Sequence, residues 1–331
     1  MTRPPARQAS RRTRWLGVAL GLWAASCASA SAQESLRFVT LGSASLAGSY
    51  YAAASAICNS INRSHRGVVR CSPEPTKGSI YNLRALMRGD QDFALVQSDW
   101  QKLAVDGRGP FAESGRFEEL RAVMALFPEA VTLVVQKGSG IASLEDLRGK
   151  RVDVGSVATA RRSTALKLLE AAGLSRADLA EQHELAGSSV ASELCAGTVD
   201  ASILLFGHPN ALLGQLLARC NLTIVPLRGE AIDRFLASNT EFQASYIPIS
   251  QYPQLAFDVD TVALSATLVT RSDIPAPLVY TFATEILVNL NQISQEAPVI
   301  RAPDIDWMRT EGLSAELHPG AVAAFDSLGS N

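Results

Sequence analysis

From Leu36 onward, short runs rich in apolar and β-branched residues alternate with longer stretches in which apolar residues return at helical spacing. The runs RFVTLG, VVRCSPE, FALVQSD, AVTLVVQ, RVDVGS, ASILLFG, LTIVPL and VALSATLVT read as strands. Residues 51–62, 79–88, 143–147, 161–172, 190–195 and 211–220 read as helices. This alternation predicts an α/β chain built on a largely parallel sheet. No internal repeat, heptad or low-complexity tract interrupts it.

Two segments divide the pattern. LFPEAVTLVVQKGSGIASLEDLRGKRVDVGS reads as an extended connecting strand, a turn, a short helix and a fresh buried strand. VALSATLVTRSDIPAPLVYTFATEILVNLNQ reads as a return strand, a Pro-rich turn and a long helix with Pro277 near its first turn. A chain that crosses twice in this way makes two lobes, 33–128 plus 267–331 and 129–266, hinged near Pro128–Val131 and Ser265–Leu268. A single large doubly wound sheet is the alternative topology.

In open parallel sheets ligands settle at the carboxyl ends of strands, where helix-opening N–H groups are unpaired. The turns at those ends here are polar. In the first lobe they hold Gly42, Ser43, Ser45, Tyr50 and Tyr51, then Thr76, Gly78, Ser79 and Asn82, then Gln97, Ser98 and Asp99. In the second they hold Ser156, Thr159 and Arg162, then His208 and Asn210. Any one such turn reads equally as ordinary helix capping. Five in succession predict a polar cleft between lobes, fit for a carboxylate or a polyhydroxy compound, with Tyr50 or Tyr51 covering its apolar part. Arg161 and Arg162 open a helix, where the dipole disfavours cations, so one of them is a candidate for bidentate carboxylate binding.

The N-terminus changes where such a protein works. Arg3, Arg7, Arg11, Arg12 and Arg14 precede an apolar stretch from Trp15 to about Ala25 and then Ala30-Ser31-Ala32, which reads as a secretory signal over 1–32. The apolar stretch is about half of the roughly 20 residues a membrane span needs. Ser10-Arg11-Arg12 partly matches a twin-arginine signal and Ala25-Ser26-Cys27 a lipoprotein site, so lipid anchoring at Cys27 stays open beside release into the periplasm. Removing the leader takes away five arginines and no acids, turning the formal charge of −2 into −7. An acidic chain lacks the basic face that nucleic acid or an anionic membrane requires. Pro128 and Glu129 break the later apolar stretch 123–136, so no second span is expected.

Four cysteines remain after Cys27: Cys58, Cys71, Cys195 and Cys220. Their spacing is not that of a zinc site. Of the three possible pairings the local one, Cys58–Cys71 with Cys195–Cys220, is the simplest, with four buried thiols as the alternative. No G-x-G-x-x-G, Walker loop, G-x-S-x-G elbow or H-E-x-x-H motif occurs, and the four histidines are scattered. A cofactor is not expected. A hydrolase could still assemble a triad from distant residues, since triads are defined by geometry.

Several segments in order carry a family pattern: TKGSIYNLRALMRGDQDFALVQSDW, LRGKRVDVG, ELCAGTVDASILLFGHPN and EGLSAELHPGA. Over essentially the whole mature chain the sequence resembles the TAXI family of solute receptors of TRAP transporters. That resemblance implies a two-lobed, type II-like periplasmic-binding-protein fold, no enzymatic activity, a monomer, and delivery of a small carboxylate such as glutamate to an ion-driven permease. It also implies the two local disulfides and places the ligand turns at 42–51, 76–82, 97–99, 156–162 and 208–210, with Arg162 on the family arginine. The chain departs from the family at Ala47-Gly48, at the alanines from Ala52 and at Ala158-Thr159-Ala160, where a Gly-Ser-Gly turn is usual. Ala in place of Gly stiffens that loop. The same fold could instead serve a membrane signalling system.

Overall fold

The computed structural model describes residues 36–328 apart from Ala47, Ala158 and Ala302; the expected leader lies outside the described residues. The first elements are β1 (Arg37–Gly42), α1 (Ser49–Ser64), β2 (Val69–Glu74), α2 (Ser79–Arg88), β3 (Phe93–Gln97), α3 (Ser98–Asp106) and β4 (Leu120–Gln136). Then come β5 (Arg151–Asp153), α4 (Ala160–Ala171), β6 (Glu181–His183), α5 (Val190–Ala196), β7 (Ala201–Gly207), α6 (Ala211–Arg219), β8 (Leu222–Val225), α7 (Glu230–Ser238) and β9 (Gln243–Ile247). The chain returns through β10 (Val259–Arg271) and ends in α8 (Ala276–Val288), α9 (Leu290–Glu296), α10 (Ile305–Thr310) and α11 (Pro319–Leu328). Among the described residues no helix is long and apolar enough to cross a membrane.

The strands lie in the order β2-β1-β3-β10-β4-β7-β5-β6, with β8 on β4 and β9 on β10. Strands β4 and β10, 17 and 13 residues long, run antiparallel to each other. At roughly 3.3 Å per residue each reaches through more than one small sheet. Their lower ends join the β1–β3 group and their upper ends the β5–β9 group. Buried apolar side chains follow the same division. Two clusters draw only on residues up to Phe127 and from Ala266 onward. The other two draw only on residues between Ala130 and Leu264. Each half therefore has a core on both faces of its sheet, and the fold is α/β and two-lobed.

Pro128 sits inside β4, which has no donor to give there. It is tolerated because it falls where the strand changes partners: β7 begins pairing one residue later, at Glu129 opposite Gly207. Disulfides Cys58–Cys71 and Cys195–Cys220 tie α1 to β2 and the end of α5 to the end of α6. Loops this short stabilise by roughly 3 kcal/mol each in the chain-entropy view.

Candidate functional site

Strand β3 runs with β4 and against β7, so the carboxyl ends of the two parallel groups approach each other. Their register fixes where they meet. Gln97 at the end of β3 pairs with Ala266, and Gly207 at the end of β7 pairs with Glu129, itself opposite Leu264. The turns after β3 and β7 leave the sheet at this level, whereas β1 ends opposite Ala94 and β5 opposite Ser202.

Around it lies a set of buried polar side chains supplied by both lobes. The Tyr50 hydroxyl, in the first turn of α1, donates to Glu129 Oε2 at 2.7 Å, while its ring meets Phe127 edge-on at 6.0 Å. Ser79 Oγ accepts from the Gln97 backbone N–H at 3.1 Å. Gln97 Oε1 is buried with no partner among the described residues. Asp99 accepts from the Trp100 N–H at 2.7 Å and faces Lys167 and Glu241, which pair with each other at 2.9 Å. Ser98 ties the lobes together: its Oγ accepts from the Ser265 N–H at 3.1 Å and lies 3.4 Å from the Glu241 carbonyl.

Burial dominates the electrostatics. Glu129 and Asp99 are only 6 % and 7 % exposed, and desolvation pushes each carboxyl up to about 7. The Tyr50 phenol is pushed up as well, by burial first and the neighbouring Glu129 charge second. Among the described residues Lys167 bears on Asp99, and it is already engaged by Glu241. The site thus holds more carboxylates than cations.

The other predicted residues have different places. The Asn82 amide donates to the carbonyls of Ser43 and Leu95, and the Thr76 hydroxyl, 2.7 Å from Asn82 Oδ1, accepts from the Gly78 N–H. Together they lock the ends of β1, β2 and β3. Gly42 leaves room for Gln91, which a Cβ would meet at 2.2 Å. Ser45 is exposed and its carbonyl accepts from Gly48, while Tyr51 is half-buried beside Tyr50. Ser156 donates to the Leu185 carbonyl and Thr159 caps α4. Arg161 is bound to buried Asp153 and to the Ile203 carbonyl. Arg162 approaches Glu184 at 2.5 Å, misaligned for a hydrogen bond.

His208 is held on both ring nitrogens, 3.0 Å from Thr132 Oγ1 and 2.7 Å from the Tyr252 hydroxyl, and desolvation pushes it down to about 3. Asn210 caps α6. Pro128 and Ala130 flank Glu129 and point to the opposite face of β4. They line, with His208, Tyr246, Gln251 and Arg301, a separate cavity of about 470 Å³. The C-terminal segment reaches the cleft too: Gly312, at φ +65°, sits where a Cβ would come within 3.0 Å of Ser98 and Ser265.

Glu129, Lys167 and Glu241 belong to the site but not to any turn singled out in the sequence. Glu129 had a signal, a charge interrupting an apolar strand; the other two gave none. No group of three metal-ligating side chains occurs among the described residues.

The fold is that of the two-lobed periplasmic binding proteins. Over 87 % of this chain and 78 % of the other, it matches the periplasmic aliphatic sulphonate binding protein SsuA from Escherichia coli, at 14 % identity and a TM-score of 0.51. Lower-scoring similarities include a putative L-cystine ABC transporter from Listeria monocytogenes (13 % identity, TM-score 0.47, 80 % and 95 % covered). An ancestral arginine-binding protein bound to arginine is another (15 %, 0.45, 80 % and 97 %). Residues 41–329 match the NMT1-like family, and the chain belongs to it.

Proposed function

We propose that this protein is an extracytoplasmic solute-binding receptor, working as a monomer, that captures a small ligand bearing a carboxylate and delivers it to a TRAP-type, ion-driven permease. The observation that carries this reading is the convergence of strand ends from both lobes on one buried polar cluster, a place where a solute can touch both at once. The TAXI resemblance of the sequence supports the TRAP partner and a ligand such as glutamate or a related amino or keto acid. In this reading the lobes are 33–128 plus 267–331 and 129–266, and they close about Pro128–Val131 and Ser265–Leu268. Ligand shifts the balance toward closure by its differential affinity for that state. Arg162, loosely engaged by Glu184, is the partner for the ligand carboxylate.

The test is thermal denaturation of the protein recovered from the periplasm after expression of the full chain, against amino acids, keto acids, dicarboxylates and sugars. A ligand at 100 times its Kd adds about 2.7 kcal/mol. One carboxylate class should raise the midpoint, mass spectrometry should recover it unchanged, and Arg162→Ala should weaken it by roughly 2–5 kcal/mol. A shift with sugars alone, or a chemically altered ligand, would overturn the reading.

A further inference from the structure

The cleft floor has a surplus of hydrogen-bond acceptors over donors. Glu129 and Asp99 offer four carboxyl oxygens, and Gln97 Oε1, on a side chain 7 % exposed, has no donor among the described residues. Against these stand two donors, the Tyr50 hydroxyl on Glu129 and the Trp100 N–H on Asp99. Charge is out of balance in the same direction, because Glu241 takes the nearby Lys167. An unpaired buried acceptor and an unpaired buried carboxylate both cost free energy, so a closed cleft of this composition is completed by a group that brings donors and positive charge. A primary ammonium brings three N–H donors and one positive charge. A ligand carboxylate at this spot would add acceptors and negative charge where both are already in excess.

Resting on the cleft assignment above, we infer that Gln97 Oε1, Asp99 and Glu129 form a subsite for a protonated primary amine, so that the solute is an amino acid rather than a keto acid or a dicarboxylate. Glu129 reads the amine from the strand joining the lobes, Gln97 and Asp99 from the end of β3 and the start of α3. Tyr50 is a positioning residue, its hydroxyl holding Glu129, and Ser79 holds the Gln97 backbone.

Isothermal titration of the receptor with each common L-amino acid and its matching 2-oxo acid tests this. At least one amino acid is expected to bind, with its oxo acid weaker by about 30-fold or more, the lower end of what unpairing a buried charge costs. Titration near pH 7 in buffers of different ionisation enthalpy should show proton release on binding the amine, because a cation favours the ionised carboxyls of Asp99 and Glu129 over their protonated forms. The charges facing them, Lys167 and Glu241, belong to the same cluster and stay paired with each other. Glu129→Gln and, as a second isosteric change, Asp99→Asn should each lose the amino acid while keeping the circular dichroism of the parent. An oxo acid or dicarboxylate that binds as well as the amino acid, or binding unchanged in both variants, would overturn the amine subsite and leave the receptor reading intact. Failure of every amino acid, oxo acid and dicarboxylate to bind would overturn both.

Discussion

Two buried aspartates, one in each lobe, differ in how far the chain itself satisfies them. Asp153, fully buried at the end of β5, receives donors from the Gly155 and Leu185 N–H groups, the Ser202 hydroxyl and the Arg161 guanidinium. The chain itself supplies everything that carboxylate needs. Asp99 is buried to a similar degree, yet its neighbouring donor is the Trp100 N–H, and Glu129 beside it has Tyr50. Burial alone therefore does not mark a ligand site; the proposed subsite rests on burial with acceptors left over.

Breaking the saturated side should have the largest effect. Asp153→Ala leaves the Arg161 guanidinium buried and unpaired, and should destabilise the protein by about 3–5 kcal/mol in urea denaturation. A loss below about 1 kcal/mol would mean that Arg161 finds water or another acceptor, and the contrast between the two acids would fail.

The unsaturated side should respond with the opposite sign. Burial raises the Glu129 carboxyl from 4.5 to about 7 in the folded protein. A raised acid contributes stability that is fully present below its unfolded value and is lost as the pH rises through the folded one. At 1.36 kcal/mol per pH unit, Glu129→Gln should make the ligand-free protein about 2–3 kcal/mol more stable than its parent at pH 8. That advantage should shrink through the window from 7 to 4.5 and disappear near pH 4. A variant less stable than its parent at every pH would make Glu129 a structural group like Asp153.

The smallest effect belongs to Arg162. Its pairing with Glu184 is 22 % and 33 % exposed, so Arg162→Ala should change stability by at most about 1 kcal/mol. Ligand affinity is where its loss should register. A larger stability loss would place Arg162 with Arg161 among the residues that hold the lobe together.

Much of the scaffold was legible in the sequence because its signals are local. RFVTLG and ASILLFG are strands with the bounds their patterns suggest, and α2 spans 79–88 as its spacing predicts. Strand β4 begins at Leu120, six residues before the connecting strand expected from Leu126. Helix α7, with Ile232, Phe235 and Leu236 at helical spacing, is missing from the helices expected above, and strand β9 had no clear periodicity to announce it. The site was legible only in part. Tyr50, Ser79, Gln97 and Asp99 sit in turns whose position in an α/β sheet already points to the cleft. Lys167 and Glu241 resemble solvated charges in sequence, and only the fold pairs them and sets both near Asp99. Thr76 and Asn82 have the same residue types as ligand contacts, but their polar groups serve the backbone of the next strand.

Glu129 lies on one of the two strands that join the lobes, at the level where their partners change. In the proposed receptor, the residue that senses occupancy and the segment that must flex are one and the same stretch of backbone. Such a device requires no relay of side chains to carry news of the ligand to a distant pivot. Its response can be as abrupt as the exchange of a few hydrogen bonds.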